Sequence, residues 1–243
     1  MDDLLETLGS DALIDVLREE FLDYGETVGD AMLPDGGGAA WRDIFERLYV
    51  PTLMQVRLRS AMEKSFGKAD IAALMTFYQS ERGQRIVEAE LAGRRYLLLE
   101  GAQKTAEAAC LEPPERAEAL LEFAQVNDLL ERNVAGTLNS DLAFYRGLIA
   151  GGVFEMDEGD VLAEVQARVP EIRVALEAWI SAYLCAALGD LNEGDLAAYT
   201  AFSKTDEGIA LNAAIFEGYG ALSEDLSYAI GLGVSVQMFG EDL

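Results

Sequence analysis

The chain repeats part of its own sequence at an offset of 125 residues, and this internal similarity constrains its fold more than any other feature. At that offset Asp3-Leu4-Leu5-Glu6 is identical to Asp128-Leu129-Leu130-Glu131. The same register continues without a gap as far as Gly93 and Gly218. A register of this length predicts one structural unit that occurs twice.

Matched positions in the two copies carry side chains that suit the same helix. Apolar residues recur at the i, i+3, i+4 and i+7 spacing of an amphipathic helix. They are Ile71, Leu74, Met75 and Tyr78 in the first copy and Leu196, Tyr199 and Phe202 in the second. Each copy is therefore predicted to turn one apolar helix face towards a core.

A helix-to-helix corner is predicted directly after each of these helices. A Ser or Thr there can accept a hydrogen bond from a free amide of the next helix, and a glycine three residues later lets another backbone come close. We interpret this motif as structural; its residues are Phe77, Ser80, Gly83, Phe202, Thr205 and Gly208. A long helix is predicted after each corner, over about residues 80–110 and 205–236, because neither stretch contains proline.

No segment shows a convincing β-strand alternation, so the sequence predicts an all-α fold of two pseudo-repeated helical bundles. Pro51 and Pro170 are each expected to kink a helix or to begin one. A boundary near Pro113-Pro114 gives a first helical repeat over residues 1–114 and a second over 115–243, with residues 115–127 as a helical bridge. The sequence leaves open whether the repeats are separate domains or share one core.

The amino-acid composition makes several functions unfavourable. The chain has 44 acidic and 18 basic side chains, a net charge of −26, which disfavours binding to nucleic acid or anionic lipid. It contains no histidine, so acid–base chemistry would depend on carboxylates, lysine, tyrosine or cysteine. No calcium loop, phosphate loop, nucleophile elbow or dinucleotide motif occurs, and we predict no catalytic residue, metal site or cofactor.

The cysteines and the apolar segments bear on the compartment. Cys110 and Cys185 are too few for a thiolate metal site; they are a candidate disulfide, and two buried free thiols are the alternative. The longest apolar runs are about ten residues, too short for a transmembrane helix. The N-terminus lacks the basic and apolar regions of a signal peptide, which is expected to be either absent or already removed.

Two segments of the first copy carry a family likeness. Phe66-Gly67-Lys68-Ala69-Asp70-Ile71 and Leu74-Met75-Thr76-Phe77-Tyr78-Gln79-Ser80-Glu81-Arg82-Gly83-Gln84 resemble the signature of the bacterial family called domain of unknown function 2059. The second copy resembles it more loosely, with Ser203 in place of Tyr and Thr205 in place of Ser. The resemblance implies a helical protein exported to the periplasm, with its signal peptide removed and no assigned activity.

Charge is distributed unequally between the copies. Residues 57–95 hold eight basic and five acidic side chains, whereas residues 182–220 hold one basic and six acidic ones. Three interpretations remain open: drift on a solvated surface, complementary packing within or between chains, and a site for an anionic ligand. The residues of the candidate anion site are Arg82, Arg85, Arg94 and Arg95.

These observations favour a non-catalytic, exported helical module that binds a partner protein or a small ligand, with a homodimer as one form of partnership. A carboxylate-based hydrolase with its site between the repeats is the alternative. Paired carboxylates alone do not support it, because 44 acids in 243 residues produce such pairs by chance.

Overall fold

The computed structural model describes residues 1–67, 69–109, 113–152 and 155–239. This part of the chain is all-α, as predicted, and contains no β-strand. Its helices are α1 (Asp2–Thr7), α2 (Ser10–Met32), α3 (Gly38–Leu48), α4 (Pro51–Ser65), α5 (Ile71–Tyr78), α6 (Glu81–Leu97), α7 (Ala102–Ala109), α8 (Pro114–Val126), α9 (Leu129–Ala150), α10 (Glu158–Ala167), α11 (Val169–Leu188), α12 (Glu193–Ser203) and α13 (Asp206–Phe239), with a 3₁₀ turn at Pro34–Gly37.

Prolines lie in the first turn of three of these helices. Pro51 is the first residue of α4, Pro114 is the first of α8, and Pro170 lies in the first turn of α11. The first-turn position suits proline because its missing amide would have no partner there and its φ is already helical. The predicted bridge over residues 115–127 corresponds to α8.

The long helix predicted after the first corner is two helices instead. α6 ends at Leu97 because the amides of Leu98 and Leu99 bond to carbonyls three residues back, at 3.2 and 3.0 Å. Gly101 then takes a φ of 75°, which residues with a Cβ rarely adopt, and α7 follows. Cys110, at the predicted end of that helix, lies outside the described residues. The second long helix is continuous, as α13.

The two corners have matching geometry. Ser80 Oγ accepts a hydrogen bond from the Gly83 amide at 3.1 Å, and Thr205 Oγ1 accepts one from the Gly208 amide at 3.0 Å. A Cβ on either glycine would lie 2.3 or 2.2 Å from a carbonyl oxygen of the preceding helix. Each corner therefore needs both its hydroxyl and its glycine.

The aromatic residues in front of the corners meet each other. The rings of Phe77 and Phe202 stack with their centroids 3.9 Å apart and an interplanar angle of 8°. Tyr199 and Tyr78 lie beside this pair. The contact joins the first half of the chain, residues 1–114, to the second half, residues 115–239.

Helices of the first half also pack against helices of the second half. α6 of the first half packs on α11 of the second, whereas α13 of the second half packs on α4 of the first and on α9. Gly93 makes the first contact possible, since a Cβ there would lie 2.4 Å from Ala187 Cα. Gly218 faces Leu58 and Met62 at the second contact. Buried side chains of both halves therefore form one continuous hydrophobic cluster.

Candidate functional site

A cavity of about 980 Å³ lies where the two halves meet. Its walls come from α1, α2, α4, α5, α6, α8, α9, α11, α12 and α13. Most of the wall is apolar, with Leu13, Leu17, Val87, Leu91 and Phe216 among its side chains. Small-molecule sites are typically clefts or cavities of about 300–1,000 Å³ with mainly apolar walls and a few polar groups. This cavity has the size and the composition of such a site.

Glu90 is one of the polar groups in the wall. It lies on α6 among the buried residues Ile86, Val87 and Gly93, which places a carboxylate on the apolar face of that helix. The Tyr199 hydroxyl donates a hydrogen bond to Glu90 Oε1 at 2.9 Å. Burial raises the pKa of Glu90 to about 7, although the hydrogen bond from Tyr199 acts in the opposite direction. Glu90 can therefore hold or release a proton near neutral pH.

Tyrosines surround this carboxylate. Tyr78, Tyr183, Tyr199 and Tyr219 all line the cavity. Burial raises the pKa of each of them, to about 12 for Tyr219. All four hydroxyls therefore keep their protons at physiological pH and are neutral hydrogen-bonding groups.

A second polar group in the wall is an ion pair between α2 and α6. Arg94, one helical turn beyond Glu90, donates to Glu20 through Nε and Nη2, both at 2.8 Å. The guanidinium lies 5.9 Å from the ring of Trp179, and Trp179 stacks on Tyr183 with centroids 5.4 Å apart. The fork geometry fixes Arg94 in the wall and neutralises its charge.

The structure places the four arginines of the predicted anion site in different surroundings. Arg82 and Arg85 both bind the Asp195 carboxylate, at 2.8 Å each, and Arg94 binds Glu20. Arg95 is exposed on α6. The guanidinium groups of Arg82 and Arg85 cover Asp195, whose side chain is only 3 % exposed. This contact between halves is of the kind that complementary packing within the chain predicts.

The Asp195 cluster makes a prediction about acid stability. Hydrogen bonds from Arg82, then Arg85, lower the Asp195 pKa from 3.8 to about 2. The stabilisation is therefore complete above about pH 4 and is lost as the pH falls towards 2. Asp195→Asn is expected to lower the Tm at pH 7 by roughly 5 °C and to reduce the loss of Tm between pH 4 and 2, measured by circular dichroism. Asp190→Asn, an exposed neighbour, is the control; equal effects of both variants would contradict the assignment.

Several cavity residues do not stand out in the sequence. Glu90, Arg132 and Asn212 lie on helix faces that also carry apolar residues, and Trp179 and Tyr183 both line the cavity and pack against the hydrophobic cluster. For α6 the sequence itself gives a sign of the site, because Glu90 and Arg94 fall on the same helix face as the apolar residues Ile86 and Val87. Charged residues on an apolar stripe indicate either a buried ion pair or a site.

Other predicted features have simple outcomes. Cys110 lies outside the described residues, so its bridge to Cys185 stays a prediction; among the described residues there is no free cysteine. The described part of the chain has no cluster of three acidic or thiol side chains that could hold a metal ion. None of its helices combines the length and the apolar character needed to cross a bilayer.

Comparison with known proteins agrees with the family likeness in the first half. Residues 54–109 match the family DUF2059, described as an uncharacterized protein conserved in bacteria. The match covers α4 to α7, which include the first corner, Glu90 and Arg94. No curated protein and no solved structure matches the chain significantly.

Proposed function

We propose that this protein binds a small, largely apolar molecule in the cavity between its two halves and does not transform it. The observation that carries the proposal is the cavity itself, with mainly apolar walls and polar groups that include the pairs Glu90–Tyr199 and Arg94–Glu20. Apolar walls supply the driving force for binding, and a few fixed polar groups orient the ligand.

We further propose that the chain is a tandem duplication and that its duplication created the cavity. Helices α6 and α13 contribute side chains from equivalent positions to the wall. At the offset of 125 residues these pairs are Val87 and Asn212, Glu90 and Ile215, Leu91 and Phe216, and Arg94 and Tyr219. The matching geometry of the two corners and the packing of α6 on α11 and of α13 on α4 also support this origin.

The same likeness that covers residues 54–109 supports export to the periplasm, which we propose as the location of this protein. A disulfide between Cys110 and Cys185, the candidate bridge of the sequence, would be consistent with an oxidising compartment. Fractionation of cells that express the full reading frame tests the location, because a protein retained with cytoplasmic markers would contradict export.

Ligand binding is expected to be visible through Trp179. Trp179 lines the cavity, whereas Trp41 is buried elsewhere and donates to the Gly25 carbonyl at 3.0 Å. The neutral apolar dye N-phenyl-1-naphthylamine should bind with one-to-one stoichiometry, become fluorescent and accept energy from Trp179. Trp179→Phe should remove most of the energy transfer while the directly excited dye still responds.

A cavity-filling variant tests where the dye binds. Gly220 lines the cavity, and a Cβ there would meet no atom within 4 Å. Gly220→Leu is expected to weaken dye binding by about tenfold because its side chain occupies ligand space. Ala197→Leu, at an exposed position of α12, is the matched control. No dye binding by the wild-type protein, or equal binding by Gly220→Leu, would reject the proposal.

Hydrolysis of a bound ligand is the second candidate, and one observation favours it. Glu90 has a pKa near neutrality, and the Arg94-bound Glu20 lines the same cavity. Two carboxyl groups in one site, one as an acid and the other as a base or nucleophile, are what a carboxylate-based hydrolase needs. Turnover of chromogenic esters or glycosides that disappears in Glu90→Gln, while the dye still binds, would support it. The absence of turnover leaves binding as the function.

A further inference from the structure

Arg132 lies in the wall of the cavity and has no hydrogen bond or ion pair with any side chain of the described residues. It lies on α9, it is partly buried, and its Nε is buried with no hydrogen-bond acceptor. The guanidinium packs over the ring of Phe216 at 5.5 Å from the centroid. Both residues line the cavity, so the charge faces the space that a ligand would occupy.

This lack of a partner distinguishes Arg132 from comparable arginines in the described part of the chain. The other partly buried ones, Arg18, Arg94, Arg116 and Arg173, each donate to a carboxylate or to a main-chain carbonyl. Acids are abundant, since the chain has 44 of them against 18 basic residues. Arg132 therefore has no ion-pair partner among the described residues, although the chain has many carboxylates.

An unpaired charge that is partly removed from water is unfavourable until a counter-charge arrives. An anionic group of a ligand would supply that counter-charge, and a guanidinium can bind a carboxylate or a phosphate through two parallel hydrogen bonds. Because the rest of the wall is mainly apolar, the remaining part of such a ligand would be hydrocarbon.

We propose that the cavity binds a single-chain amphiphile, with its anionic head group on Arg132 and its hydrocarbon chain against the apolar wall. This inference rests on the proposed function and adds the chemical class of the ligand. Carboxylate and phosphate head groups share the required chemistry. A neutral amphiphile of equal length lacks it and should bind less tightly.

The test is displacement of N-phenyl-1-naphthylamine from the full chain at pH 8 by decanoate, decyl phosphate and decanol. In the wild-type protein, at least one anionic probe is expected to bind about tenfold more tightly than decanol. The tighter of the two anions identifies the head group. Equal binding of decanol and both anions would overturn the inference.

Arg132→Met is the decisive variant, because methionine keeps an apolar side chain against Phe216 and removes only the charge and the donors. It should lower the affinity for the preferred anion by about tenfold and leave the affinity for decanol unchanged. Arg95→Met removes the same charge from an exposed position of α6 and should change neither affinity. Preference for the anion retained in Arg132→Met, or lost equally in Arg95→Met, would overturn the assignment.

The outcomes separate this inference from the proposed function. If the dye binds but no head-group preference is found, the cavity is a binding site and the inference about Arg132 is wrong. If the dye does not bind at all, both are wrong. Should Arg132→Met not fold, Arg132→Gln and the wild-type comparison of decanol with the anions still decide the question.

Discussion

Replacing Glu90 with glutamine is expected to raise the free energy of unfolding by about 3 kcal/mol above pH 8. Burial raises the pKa of Glu90 from 4.5 to about 7, so the folded protein holds this proton at pH values where the unfolded chain has released it. Ionising Glu90 in the folded state therefore costs free energy. Glutamine has nearly the same shape, carries no charge and can still accept the hydrogen bond from Tyr199.

The direction of the pH dependence follows from the same shift. Below about pH 4 both states bind the proton, and the residue has no effect on stability. Between about 4.5 and 7 the folded state binds more protons than the unfolded state, so the contribution of Glu90 to stability decreases as the pH rises. Above pH 7 the loss is complete.

Urea unfolding of the wild-type protein and Glu90→Gln at intervals from pH 4 to 9 measures this contribution as a difference, in which the titration of the other acids cancels. Glu88→Gln is the matched control, since Glu88 is exposed on the same helix. A difference between the wild type and Glu90→Gln that does not change across this range would show that Glu90 ionises normally.

Gly93→Ala is expected to lower the free energy of unfolding by about 3 kcal/mol. The new Cβ would lie 2.4 Å from Ala187 Cα and 2.5 Å from Ala187 N. These are main-chain atoms of the last turn of α11, and they cannot move away as the end of a flexible side chain can. α6 and α11 would have to separate, which would open the contact between the two halves. This loss exceeds the gain of about 1 kcal/mol that alanine brings over glycine in a helix.

Gly136→Ala is the control for this substitution. Gly136 lies within α9, and a Cβ there would meet no atom within 4 Å. It should therefore stabilise the protein by up to about 1 kcal/mol through helix propensity. Urea unfolding of both variants gives the comparison, and a Gly93→Ala variant as stable as Gly136→Ala would show that α6 and α11 do not pack as closely as described.

The sequence by itself determines the local features of this protein. Helix periodicity and the absence of strand patterns establish the all-α class, Pro51 and Pro170 mark the beginnings of helices, and the hydroxyl and glycine of each corner act within one turn of chain. These features follow from residues close in sequence. The break between α6 and α7 escapes the same reasoning, because it depends on the φ of one glycine, Gly101, and glycine is also tolerated inside helices.

The tertiary structure decides which helices meet, and with that the site. The sequence shows an apolar stripe with Glu90 in it. The pKa near 7 results from burial, which raises it against the lowering effect of the hydrogen bond that Tyr199 donates, and both effects involve residues far along the chain. Likewise, Arg82 and Arg85 form ion pairs with Asp195, and Arg94 forms one with Glu20. Arg132 forms none with a carboxylate of the described residues. Which charged groups pair depends on the distances between them in space. The packing of α6 on α11 and of α13 on α4 sets those distances.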